Sequence, residues 1–256
     1  DLASPVYAAT QSLGNIRVGE GATFTIANNV ITAAGYQDSL DVAAAKTNAN
    51  LTLAGATANV LAGDNTTVGL TAAAAGSLAD TLALTLTSNA NGVTGLDNVG
   101  LTAGAITVTG AAYDLARADF AATAVAFGNV RTGALRQVAV TNTVATLAAF
   151  QDSLDATATT GLATLSVASP ANLAAGASGN VTVTAAKAGA LDGAVSVALA
   201  SNTNGVLGLT GVSLTAQSLA ITGAAYDFAA ATLAASSLTL GNIRVGTTNT
   251  LAVTNA

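Results

Sequence analysis

Four aspartates come in two matching pairs. Asp38 and Asp41 lie in GYQDSLD (35–41), and Asp152 and Asp155 lie in AFQDSLD (149–155). Two carboxyls facing each other across a cleft can cleave a glycosidic bond, provided one keeps its proton. Grouped with Asp64 and carbonyl oxygens, such side chains could instead hold Ca²⁺. Neither chemistry has the rest of its pattern. Ca²⁺ takes about six to eight oxygens. The chain has no D-x-[DN]-x-[DN]-G loop and no glycine-rich nonapeptide repeat. An active site is also seldom needed twice. Asp38, Asp41, Asp152 and Asp155 therefore stand as weak Ca²⁺ candidates. They are read first as turn carboxylates that bond backbone N–H groups.

Other routes to catalysis are narrower still. There is no His and no Cys, which removes the common nucleophile–base pairs. Lys46 and Lys187 fall in loop-like stretches with no Ser-x-x-Lys. GAITVTGAAYD (104–114) has glycines but no Gly-Lys-Ser/Thr, so it reads as a strand ending in a turn. The expectation is a protein that is not an enzyme and carries no cofactor.

Three arginines recur more pointedly than the acids. Arg17, Arg131 and Arg244 hold the same place in GNIRVG (14–19), GNVRTG (128–133) and GNIRVG (241–246). In a chain with so few charges they should have partners. Arg17 is expected on Asp38 or Asp41, and Arg131 on Asp152 or Asp155, each in a bidentate fork. The alternative is a solvated charge that deters pairing at a sheet edge. Tyr113 and Tyr226 stand just before a new copy begins. They either pack between successive units and limit bending, or close their own cores.

The copies are long. DLASPVYAAT, DLARADFAAT and DFAAATLAAS open at Asp1, Asp114 and Asp227, 113 residues apart each time. SNANGVTGL (88–96) returns as SNTNGVLGL (201–209), and TGAAYD (109–114) returns unchanged at 222–227. The hexapeptide of the second copy runs one residue late, which implies an insertion between Thr10 and Gly14. A period of this length fits a whole domain in tandem, not a solenoid unit. The expected division is 1–113, 114–226, and 227–256 as the first strands of a third copy. That last piece is either incomplete or shared with a neighbouring subunit.

Alternation says what each copy is made of. Leu82, Leu84 and Leu86 share one face, as do Val195, Val197 and Leu199. Phe24 with Ile26, Val68 with Leu70, and Ile106 with Val108 do the same, and Leu251 with Val253 opens the third copy. Period two over short runs means half-buried strands, and Gly and Asn-Gly turns separate them. About seven strands in such a length is the mark of a β-sandwich. Leu147, Phe150 and Leu154 have helical spacing, so that stretch is a loop or a single helical turn.

Composition narrows the partners. Charged residues are 8% of the chain, against about 25% in ordinary soluble proteins. Net charge is −6, and the seven Lys and Arg are scattered, so no basic patch for nucleic acid or lipid headgroups forms. The uncharged stretch 193–226 is broken by Ser, Asn, Gln and Gly, unlike a membrane span. Asp1 is expected to be a cut or processed end, with any export signal already removed. The full chain is expected to be a longer array.

FGNVRTG with VAVTN, then LAAGASGNVTVTAAKAGALDGAVSVALASN, with the QDSLD block between those pieces, resembles the bacterial choice-of-anchor D modules. These belong among the abnormal-spindle/hydin-like immunoglobulin-type domains. The resemblance implies a scaffold in an exported, surface-attached bacterial protein, with other copies of itself as head-to-tail partners. Two alternatives stay open. One is an adhesin gripping a glycan or protein at loop tips. The other is a filament subunit that exchanges strands through 227–256.

Overall fold

The computed structural model describes residues 1–255. It is all-β, with single 3-10 turns at Ala34–Tyr36 and Ala148–Phe150. The first half runs β1 (Pro5–Tyr7), β2 (Thr10–Arg17), β3 (Gly21–Asn28), β4 (Ser39–Ala45), β5 (Leu51–Ala54), β6 (Thr57–Val60), β7 (Asn65–Ala72), β8 (Gly76–Ser77), β9 (Asp80–Asn89), β10 (Val99–Gly100) and β11 (Gly104–Tyr113). One sheet has the order β1-β3-β7-β5 and the other β2-β11-β9-β4-β6, with β8 and β10 attached to β11 and β9.

The second half repeats the plan with β12 (Ala118–Phe120), β13 (Ala124–Arg131), β14 (Leu135–Asn142), β15 (Ser153–Thr160), β16 (Leu165–Ala168), β17 (Ser178–Ala185), β18 (Gly189–Ala190), β19 (Gly193–Asn202) and β20 (Val212–Tyr226). Its sheets are β12-β14-β17-β16 and β13-β20-β19-β15. Each half is an immunoglobulin-like sandwich. In each, the first edge strand pairs antiparallel in one sheet. The chain then crosses over to run parallel to the last strand of the other.

The alternating residues bury where period two puts them. Leu82, Leu84 and Leu86 are at most 2% exposed, and Val195 and Val197 are fully buried. Inner faces of both sheets close two separate cores, one per half. Removing such side chains from water contributes about 25 cal/mol per Å², so the cores carry most of the folding energy.

The recurring hexapeptide is a clip between sheets. Gly14 (φ +64) sits where β2 bulges past Leu13 against β11. Opposite it, a Cβ on Gly110 would lie 2.6 Å from the Gly14 carbonyl oxygen, so only glycine lets the two backbones meet. Gly19 (φ +91) then turns the chain into β3, with the Glu20 N–H donating to the Arg17 carbonyl. Gly128, Gly223 and Gly133 repeat the arrangement.

Three sequence expectations need correction. The extra residue of the second copy lies in the turn 121–123 before β13, not between Thr10 and Gly14, because a turn absorbs it without shifting a register. The stretch with helical spacing splits: Ala148–Phe150 is the 3-10 turn, while Leu154 is a buried residue of β15. In the third copy β21 (Ala231–Leu233) pairs only with β22 (Val253–Asn255) among the described residues, and Val253 stays 62% exposed, with no second sheet of the described residues over it.

Candidate functional site

Polar residues gather where the alternating faces of two strands run on past the core. Phe24 and Ile26 are followed on the same buried face by Asn28, and Leu84 and Leu86 by Ser88. Such groups must find partners or destabilise the fold. The Asn28 amide donates to the carbonyls of Asp38 and Val60, and its oxygen accepts the Ser4 N–H. Ser88 accepts the Ala3 N–H and donates to Asp38 Oδ2 at 2.7 Å. Asn142, Ser201 and Asp152 form the same corner in the second sandwich.

Asp41 accepts the Asn59 N–H and the Asn89 amide, and Asp155 accepts those of Asn172 and Asn202. All four paired aspartates thus serve turns and strand ends. Among the described residues, no three acidic side chains converge as a metal site would require.

Arg17 is not on Asp38 or Asp41. Its Nη2 reaches Asp152 Oδ2 at 2.8 Å, in the other sandwich, and donates to the Thr210 carbonyl at 3.2 Å. The reason is directional. Arg17 precedes β3, whereas Asp38 is tied to Asn28 at that strand's far end. Eight extended residues separate the two by about 26 Å, so only the following sandwich offers a carboxylate. The contact is also single, not a fork. Asp152 Oδ2 serves both Ser201 and Arg17, while Arg17 Nη1 and Asp152 Oδ1 are buried without a partner among the described residues.

Two more contacts flank the ion pair. Asn15 donates its amide to the Leu207 carbonyl at 2.9 Å. Tyr113, in register with Arg17, packs its ring on Phe150 with centroids 5.5 Å apart. The charged pair is well shielded, with side-chain exposures of 15% for Arg17 and 1% for Asp152.

Arg131 likewise misses Asp152 and Asp155, for the same directional reason. It donates to the Asp227 carbonyl and lies 5.1 Å from the centre of the Phe228 ring. Tyr226, beside it, is 52% exposed. Arg244 is exposed in a turn closed by the Thr247 N–H, with Gly246 at φ +92 as in the other two copies.

Sequence reading missed Asn15, Phe150 and the Asn–Ser corners. Asn15 was in plain view, since the hexapeptide keeps an asparagine beside its arginine each time. Asp80 was missed too. It accepts the N–H groups of Thr47, Asn48 and Thr81 and the Thr47 hydroxyl. Burial works to raise its pKa, but these four hydrogen bonds prevail and hold it below the ordinary 3.8. The matching position of the second sandwich is Gly193.

No family model matches the chain, and no curated protein matches it. The solved structures similar to it over much of its length include the following three. A protein of unknown function from Porphyromonas gingivalis W83 is 11% identical over 86% of this chain and 99% of its own, with a TM-score of 0.30. The D00–D0 domain of intimin is 15% identical over 84% of this chain and 99% of its own, with a TM-score of 0.34. The S-layer protein rSbsC is 15% identical over 79% of this chain and 22% of its own, with a TM-score of 0.32. At these scores the likenesses assign no function.

Proposed function

We propose that the chain is a non-catalytic structural module: a short girder of immunoglobulin-like units, divided 1–113 and 114–226, with 227–256 opening a third. The observation that carries this reading is the shielded Arg17–Asp152 contact between the two sandwiches. Domains joined by a bare linker swing freely by default. Here an ion pair, the Asn15 amide and the Tyr113–Phe150 packing bridge the joint. The finer setting, an exported bacterial surface, matrix or fibre protein akin to the choice-of-anchor D modules, follows from the sequence resemblance. The scarcity of lysine and arginine supports it, since it limits charge-mediated sticking.

The chain has no cysteine, so two engineered ones report the joint cleanly. Spin labels at Thr52→Cys and Ser166→Cys, both exposed strand positions, should give one narrow distance peak. Arg17→Ala should broaden it about twofold, towards the freely hinged limit. A broad peak in the parent protein would discard the girder.

A second reading has its own observation. The lone β21–β22 ribbon leaves Val253 and Leu233 more than half exposed, and such edges invite pairing with another chain. Filament growth by strand exchange would appear as concentration-dependent polymers that vanish when 227–256 is deleted.

A further inference from the structure

The leading face of the first sandwich carries the same parts that the second uses to grip Arg17. Asp38 stands for Asp152, Ser88 for Ser201, Tyr36 for Phe150, and the turn 93–97 for 206–210. The backbone is set alike as well. The Asp1 ammonium donates to the Tyr36 carbonyl at 2.8 Å and the Asp38 N–H to the Asp1 carbonyl at 2.9 Å. At the joint, the Asp114 N–H donates to Phe150 at 2.9 Å and the Asp152 N–H to Asp114 at 3.1 Å. What differs is the cover. Tyr36 is 86% exposed, Val93 and Leu96 are more than half exposed, and no cation lies on Asp38 among the described residues. A hollow of about 590 Å³ opens beside Asp1, Tyr36, Asp38 and Leu96. Asp97, at the place of Thr210, adds a carboxylate to this end.

We propose that this face is a socket for the trailing end of another repeat of the same kind, joined in line ahead of Asp1. The occupant presents an arginine at the place of Arg17, an asparagine at that of Asn15 and an aromatic at that of Tyr113. The inference rests on the girder reading and extends it from the one joint within the chain to a second. Charge argues for the occupant: an acidic, partly apolar face suits an arginine flanked by a tyrosine. The guanidinium would find Asp38 Oδ2 already oriented by Ser88, and the carbonyls at 94 and 97 would accept from the asparagine and the arginine. Those acceptors are backbone, so the changes Leu207 to Thr94 and Thr210 to Asp97 leave them in place. Geometry argues for an in-line repeat over a separate copy. Asp1 occupies the place of Asp114, so residue 227 of a docked separate copy would compete for that space.

The test adds a copy of residues 1–113 ahead of Asp1 in the full chain. Spin labels go on Thr52→Cys in the added copy and in the native first sandwich. The expected result is a peak as narrow as that of the native joint, measured with the Thr52→Cys and Ser166→Cys pair. Asp38→Asn should broaden the new joint about twofold and leave the native one unchanged, because freed domains swing by default. Arg17→Ala in the added copy alone, which alters no residue of the original chain, should do the same. A broad new joint, or a narrow one indifferent to both substitutions, beside a narrow native joint, overturns the socket and leaves the girder standing. A broad native joint in the unsubstituted protein overturns both.

Discussion

Arg17 and Arg131 end equivalent strands, β2 and β13, yet one reaches a carboxylate of the next sandwich and the other only a backbone carbonyl and an exposed ring at the start of the third copy. The two share a bulge glycine, a turn glycine and a neighbouring tyrosine in register. The strand end therefore fixes where each guanidinium is presented. What it binds depends on the body that follows. After Arg17 comes a complete sandwich with a preset aspartate; after Arg131 come Asp227, Phe228 and a two-stranded ribbon. A recurring presentation with an exchangeable partner is what a serial joint needs.

The hardest way to break this contrast is to remove the acid. Asp152→Ala strands the Arg17 guanidinium at a shielded site, and breaking one side of a buried pair costs about 3–5 kcal/mol. Asp38→Ala, at the equivalent place, removes only the bond from Ser88, about 1 kcal/mol. Amide exchange in β15 and β19, against β4 and β9, measures the two side by side. Equal losses would mean that the arginine contributes nothing at the joint.

Next comes a substitution that should not discriminate. Asn28→Ala and Asn142→Ala each abandon two carbonyls, one backbone N–H and the amide of Gln37 or Gln151 in a buried corner, and should each cost about 3 kcal/mol. The same exchange measurement checks them. Unequal values would show that the corners are tuned to their different neighbours.

Much of this is legible in the sequence, and the rest is hidden for identifiable reasons. Alternation at Leu82, Leu84 and Leu86 gave the strand and its buried face, because side chains of a strand point to opposite sides in turn. The same rule carried one step further reaches Ser88, and from Ile26 it reaches Asn28. A polar residue continuing a buried face was the unread sign of the corner. Arg17 was expected on Asp38 or Asp41 and lies instead on Asp152; periodicity reports faces and not ends. It could not say that Asp38 lay a whole strand away. Phe150 was obscured because its spacing to Leu147 and Leu154 belongs to a 3-10 turn running into a strand.

Acid should separate the halves in a different way. Asp80 has its pKa lowered in the folded protein, so it contributes stability above the unfolded value of about 3.8, and this is lost as pH falls through the lower folded value. The second sandwich has Gly193 there and lacks this contribution. Exchange protection in β9 should fall faster than in β19 as the pH drops from about 5 through 3.8 and below. Asp80→Asn should remove the difference while lowering stability at neutral pH.

The smallest effect expected is at Arg131. Its bond to the Asp227 carbonyl and its position over Phe228 lie in the open: the arginine is exposed, and the ring is 71% exposed. An exposed cation–π contact is worth about 0.5–1 kcal/mol, and an exposed side chain also loses rotamer freedom when held there. Arg131→Ala should therefore shift exchange in β13 and β20 by about 0.5 kcal/mol or less. Arg17→Ala, with its partner shielded, should cost several times that in β15, for it leaves Asp152 buried and unpaired. If a complete repeat were fused behind residue 226 in place of 227–256, a joint like the first would form. Arg131→Ala would then rise to match Arg17→Ala. The size of that rise measures how much of the arginine's worth belongs to the sandwich that receives it.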